Sequence, residues 1–196
     1  MNHALTELVC ILDRSGSMES IRADAIGGFN AFLGEQKKLD GEARLTLVLF
    51  DHEYDRRLDA APLAEVEPLT EATFVPRGNT ALLDAIGRTI DDVGARLART
   101  PEAERPGSIL VCILTDGMEN ASSDYTRDRV KSMIEHQQKK YGWEFQFLAA
   151  NQDAFAEASR IGIARPNAMP FAADAAGTKA AFAQVSARAT KARKRS

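Results

Sequence analysis

Five oxygen-bearing side chains stand where they could act together: Asp13, Ser15, Ser17, Thr80 and Asp116. The set holds two carboxylates and three hydroxyls, with no nitrogen or sulfur donor. Such a donor set suits a hard cation: Mg²⁺, with Mn²⁺ or Ca²⁺ as alternatives. Mg²⁺ asks for octahedral geometry and gives up water reluctantly. Neutral hydroxyls supported by two carboxylates, acting directly or through water, would leave such an ion one open or water-filled position. Two carboxylates only cancel the ion's two charges, so a third anion from outside remains attracted. An Asp or Glu on a partner protein would serve.

For these residues to meet, they must lie beyond the carboxyl ends of strands in an open α/β sheet. The chain supplies such strands. Leu8 to Leu12 is a continuous apolar run that ends at Asp13, as a strand buried on both faces would. Arg14-Ser15-Gly16-Ser17 is a small-residue turn. Ile21, Ala25, Phe29, Phe32 and Leu33 then follow helical spacing, which Gly27 and Gly28 weaken without cancelling. Leu45 to Phe50 reads as a second strand. Tyr54 to Ala61 reads as its antiparallel partner, because the link Asp51-His52-Glu53 is too short for a parallel crossover. Pro62 to Asn79 reads mostly as loop.

A helix is expected from near Thr80, with Leu82, Leu83, Ile86, Ile90, Val93 and Leu97 inward. Ile109 to Leu114 is the third buried strand and ends at Thr115-Asp116-Gly117. A helix over Thr126 to Tyr141, a strand over Trp143 to Ala149 and a short helix over Ala154 to Ile161 follow. Ala168 to Phe171 reads as a short edge strand, where Pro170 is tolerated. The last helix runs from about Thr178 to Ala192, with Phe182, Val185 and Ala189 inward. Alternating strands and helices predict an open, doubly wound, mostly parallel sheet with one antiparallel edge strand.

Three motifs carry a resemblance. Asp13-Arg14-Ser15-Gly16-Ser17 resembles the Asp-x-Ser-x-Ser signature of the metal-ion-dependent adhesion site (MIDAS) of von Willebrand factor A (VWA) domains. Gly78-Asn79-Thr80-Ala81-Leu82 is similar to that family's second loop, and Leu114-Thr115-Asp116-Gly117 to its third. The likeness spans roughly Leu5 to Ile163 and is to bacterial stand-alone members. It departs at Asn79, where the family often has glycine. The resemblance implies a Rossmann-like sheet and direct ion binding by Ser15 and Ser17. It implies that Thr80 binds directly when ligand is present. Asp13 and Asp116 would act mainly through water and hydrogen bonds to those hydroxyls. It further implies a protein partner presenting an acidic residue, and permits a chaperone-type ATPase in that role.

An enzyme is not expected. A metal-dependent phosphohydrolase is the alternative, but no histidine adjoins the motifs and the glycine-rich phosphate loop ending in Lys-Ser/Thr is missing. Ser15 stands where an aspartyl-phosphate phosphatase would carry its second acid. The bland reading of Ser15, Ser17 and Thr80 is helix caps, which leaves Asp116 unexplained.

The 196 residues suit one domain, expected over 1–176, with a basic C-terminal helix or tail over 177–196 that packs on it or extends from it. That last stretch holds six basic residues and no acidic one; the rest carries 19 basic against 28 acidic residues, a net of −9. Contact of the tail with nucleic acid is the weaker reading against an acidic body; a frayed, solvated helix end is expected of Lys179, Arg188, Lys191, Arg193, Lys194 and Arg195. Arg14 and Arg77 read as solvated arginines flanking the site, with steering of an acidic ligand as their functional alternative. Asp51, His52 and Glu53 read as a polar turn. Asn151, Gln152 and Asp153 read as a turn and cap, with a place on the rim as the alternative. Cys10 and Cys112 lie in apolar runs and read as core residues, not as zinc ligands or a disulfide. No apolar stretch is long enough to cross a bilayer, and no signal-peptide pattern opens the chain, so a cytoplasmic location is expected.

Overall fold

The computed structural model describes residues 1–150 and 153–194. Strands β1 (Asn2–Asp13), β2 (Glu42–Phe50), β3 (Tyr54–Pro62), β4 (Pro106–Thr115), β5 (Glu144–Ala150) and β6 (Ala168–Phe171) form one sheet. Their order is β3-β2-β1-β4-β5-β6. Every pairing is parallel except β2 with β3, the hairpin at one edge. Five helices accompany them: α1 (Arg22–Lys37), α2 (Leu82–Arg99), α3 (Arg127–Tyr141), α4 (Ala154–Arg160) and α5 (Ala175–Arg193). The expected mostly parallel α/β sheet with one antiparallel edge strand is the observed fold.

The two-residue period of a strand explains the layers. Leu8, Cys10 and Leu12 of β1 face α1 and α5, packing with Phe29, Phe32, Phe182 and Val185. Val9 and Ile11 face the other way, toward Ile86 and Ile90 of α2, Ile134 of α3 and Ala158 of α4. Cys10 and Cys112 are buried, unbonded and directly opposite each other on β1 and β4. Burial pushes the Cys10 thiol up to about 12, so it behaves as a core group.

β1 begins six residues earlier than its apolar run, because Thr6 and Glu7 are polar yet buried. The Glu7 carboxylate accepts the Thr46 hydroxyl at 2.9 Å and pairs with Arg96. The helix expected around Ile21 to Leu33 is a 3₁₀ segment, Gly16–Ile21, leading into the longer α1. Gly28 serves packing there: a Cβ would sit 2.3 Å from the Phe182 ring. The stretch after β3 is loop apart from a short 3₁₀ turn at Leu63–Glu65. It straps the α1 face through buried Leu63, Val66, Leu69 and Phe74. The Asn30 side chain binds both the N–H and the C=O of Leu69, each at 2.8 Å.

The C-terminal segment differs from a frayed tail. The division expected between residues 176 and 177 falls inside α5, whose Phe182, Val185 and Ala189 share the core of β1. Arg193 is buried. It donates to the carbonyls of Gln36, Leu39, Asp40 and Gly41, closing the C-terminal end of α1 with a cation. Sequence alone could not show this, because the acceptors lie some 150 positions upstream. Lys194 is exposed; Arg195 lies outside the described residues, as do Asn151 and Gln152. Asp153 caps α4, its carboxylate accepting the Ala156 N–H at 3.1 Å. No helix among the described residues is long and apolar enough to cross a membrane.

Candidate metal centre

Strand order reverses at β1, which has β2 on one side and β4 on the other. In open α/β sheets the crevice beyond the strand ends at such a point is where ligands bind. Asp13 ends β1, and Asp116 follows the last residue of β4. Ser15, Ser17, Thr80, Gly117, Met118, Glu119 and Asn120 line an open cleft there of about 350 Å³.

Each carboxylate is tied to a hydroxyl-bearing turn. Asp13 is fully buried; one of its oxygens accepts the Ser15 N–H at 2.6 Å and the other accepts the Thr115 hydroxyl at 2.5 Å. Ser17 donates its hydroxyl to Asp116 at 2.6 Å, and the Ser15 and Ser17 hydroxyl oxygens lie 3.2 Å apart. Thr80 completes the set from the second loop. The missing Cβ of Gly117 marks the space they share: that point is 2.7 Å from Thr80 Oγ1 and 3.5 Å from each serine Oγ. The structure thus brings all five sequence-picked residues to one edge of the sheet.

The cap reading fails on geometry. Ser15 precedes the 3₁₀ segment but makes no side-chain cap, and α2 starts at Leu82 with Ala81, not Thr80, in the capping position. Asn79 is exposed, and the glycine before it carries the special backbone of this loop. Gly78 takes the left-handed conformation, with φ of 64°, and a Cβ there would lie 2.0 Å from His52 Nδ1.

The chemistry of the donors fits a cation. Loss of solvent on burial pushes the Asp13 carboxyl up to about 6, against bonds from Thr115 and Ser15 that lower it. Burial likewise raises Asp116, opposed by the Ser17 hydroxyl. Two carboxylates short of water, beside three converging hydroxyl oxygens, are what a hard divalent ion would relieve. Among the described residues no group of three or more His, Cys, Asp or Glu is placed to hold a metal ion, here or elsewhere, so an ion at this edge would depend on the hydroxyls.

A charge network at the end of the neighbouring strand β2 went unread in the sequence. Asp51 is fully buried at the end of β2 and accepts from Arg14 Nε and Arg77 Nε, each at 2.9 Å, and from the Glu53 N–H at 2.7 Å. Burial alone would raise its carboxyl; the Glu53 N–H and the two guanidinium groups outweigh that and lower it. Arg14 is buried and also reaches Asp55 at 3.0 Å, while Arg77 pairs with Glu53. Arg14 is therefore not a solvated flanking residue; Arg77 is exposed, as expected, and pairs with Asp51 and Glu53. Backbone bonds fasten the loops too: Arg77 N–H to Arg14 C=O at 2.8 Å, Gly16 N–H to Gly78 C=O at 3.1 Å, and Ala81 N–H to Asp51 C=O at 2.8 Å. Glycine and two arginines beside the motifs were the available signal; their pairing was not.

No family model matches the sequence, and neither does any curated protein. Solved structures do match. The von Willebrand factor domain of the type V pili tip protein Mfa5 from Porphyromonas gingivalis has a TM-score of 0.65 at 14% identity, over 97% of this chain and 97% of that one. The pilus adhesin SpaC from Lactobacillus rhamnosus GG, in its open conformation, has a TM-score of 0.65 at 14% identity, over 96% of this chain and 30% of that one. Proximal thread matrix protein 1 from the mussel byssus, whose MIDAS motif is occupied by zinc, gives 0.63 at 15% identity, over 96% and 46%. The chain spans about half the length of the first structures it matches. At such identities the likeness is one of fold.

Proposed function

We propose that this chain, which has the fold of von Willebrand factor A domains, is a metal-dependent protein-binding module and not an enzyme. Ser15, Ser17 and Thr80 would hold a Mg²⁺-class ion, with Asp13 and Asp116 behind them. Mg²⁺ fits the hydroxyl-rich set best; Mn²⁺ and Ca²⁺ are the other candidates. The single observation that carries this reading is the convergence of the three hydroxyl oxygens on the space above Gly117. Asp13 holds the Ser15 turn through its N–H, and Asp116 orients the Ser17 hydroxyl. When bound, the ion supplies a Lewis-acid position for a carboxylate oxygen. The ligand is an Asp or Glu side chain on a partner protein, and a chaperone-type ATPase is one class that could present it. Exposed Met118, at 70% accessibility on the rim, would meet whatever apolar group flanks that carboxylate.

A phosphohydrolase is less well supported. Glu119, which lines the cleft, is already engaged by the N–H groups of Leu83, Ala121 and Ser122, so it is not poised as a base. A nucleic-acid role for the C-terminal helix is weakened by the burial of Arg193. We place the protein in the cytoplasm, where two unbonded cysteines facing each other would stay reduced.

Selection of a random peptide library on the immobilised protein in Mg²⁺ tests the function. The expected outcome is enrichment of peptides with an Asp or Glu at one fixed position, lost in EDTA and on Asp13→Ala. Enriched peptides without an acidic residue, or binding indifferent to EDTA, would overturn it.

A further inference from the structure

Thr80 is held by the third loop rather than by its own helix. α2 opens without a side-chain cap of its own. Its first free N–H groups are taken instead from across the cleft: Leu83 N–H donates to Glu119 at 2.9 Å and Asp84 N–H to Ser122 Oγ at 3.0 Å. Asp84 returns the tie by accepting the N–H groups of Ser123, Asp124 and Tyr125. At the centre of this clasp is Asn120. Its side-chain oxygen accepts the Thr80 N–H at 2.9 Å, and its own N–H donates to the Thr80 carbonyl at 3.1 Å. Both backbone polar groups of a buried residue are thus bound by one residue 40 positions away.

We propose that Asn120 is a positioning residue of the metal centre, fixing where the Thr80 hydroxyl stands opposite Ser15 and Ser17. The proposal rests on the metal-binding reading above. The Thr80 hydroxyl stands close to the third loop, its Oγ1 2.7 Å from where a Cβ on Gly117 would lie, with the two serine hydroxyls 3.5 Å from the same point. Removing the Asn120 amide leaves a buried N–H without its acceptor. The second loop must then shift to find another partner or water. The Ala81 N–H bond to Asp51 still anchors the far side of Thr80, so the change moves the hydroxyl without releasing the loop.

Mn²⁺ itself is the probe, followed by electron paramagnetic resonance of the free ion. Five proteins are titrated: wild type, Asn120→Ala, Thr80→Ala, the Asn120→Ala, Thr80→Ala double variant and Asn120→Asp. If Asn120 acts through Thr80, Asn120→Ala weakens Mn²⁺ binding about threefold to tenfold, the size of one hydrogen bond. In the Thr80→Ala background the same change then costs less than about twofold. Asn120→Asp keeps the acceptor and binds at least as tightly as wild type, which guards against a folding defect in the alanine variant. Equal losses in both backgrounds, no loss in either, or a loss in Asn120→Asp would overturn the proposal and leave the metal centre standing. Absence of Mn²⁺ binding by the wild type would remove the metal centre itself, and the positioning role with it.

Discussion

Ser17 donates its hydroxyl to Asp116 at 2.6 Å across a separation of 99 residues. That bond joins the turn after β1 to the end of β4, at the place where the strand order reverses. Thr115 makes the matching tie one residue earlier, to Asp13. The two carboxylates are therefore held by hydroxyls of the opposite strand end, and Ser15, Ser17 and Thr80 face one space. Preorganisation of this kind lowers the cost of gathering ligands around an ion.

Gly117 should be replaceable for folding and not for ion binding. A Cβ at this position would fall 2.7 Å from Thr80 Oγ1 and fill the space between the three hydroxyls. Gly117→Ala is expected to weaken Mn²⁺ binding at least about tenfold, roughly 1.4 kcal/mol, with an unchanged far-ultraviolet circular dichroism spectrum. Wild-type affinity in this variant would mean that the ion sits elsewhere.

The pH dependence should reverse with the metal. Asp13 is raised from 3.8 to about 6 in the metal-free protein. A raised carboxyl contributes stability that is fully present below about pH 4 and is lost as pH rises through about 6. Ion binding needs the deprotonated form. The rise in Tm on adding Mg²⁺ should accordingly be large near about pH 7.5 and small near about pH 5. Calorimetric scans with Mg²⁺ or EDTA at both values measure it, and an equal shift at the two would contradict the assignment.

Asp51 should matter more for stability than any residue of the five-member set. Its one carboxylate serves Arg14, Arg77 and the Glu53 N–H. Asp51→Asn leaves the buried Arg14 with Asp55 as its remaining carboxylate. A cost of about 2–4 kcal/mol in denaturant unfolding is expected, in the range for breaking a buried ion pair. A cost below about 0.5 kcal/mol, typical of a surface change, would show that Asp51 is only the polar turn its sequence suggests.

Most of the sheet was legible because its strands are continuous apolar runs, and the hairpin because three polar residues cannot carry a crossover. The gathering of the five residues at one sheet edge was legible because they stand at strand ends in three short motifs. What could not be read depends on partners distant in sequence. Glu7 is buried within β1, where its carboxylate is met by Thr46 and Arg96. Gly28 weakens a helix locally but admits Phe182. Arg14 and Arg193 look like surface cations, and each is buried by acceptors that no local pattern reveals. The clasp of Asn120 on Thr80 belongs to the same class.

The most direct test of the central claim is titration calorimetry of Mg²⁺ and Mn²⁺ into the wild type and into an Asp13→Ala, Ser15→Ala double variant, with circular dichroism to establish that both are folded. Binding at a single site is expected in the wild type and none in the folded variant. Equal binding by both proteins, or no binding by the wild type, would contradict it.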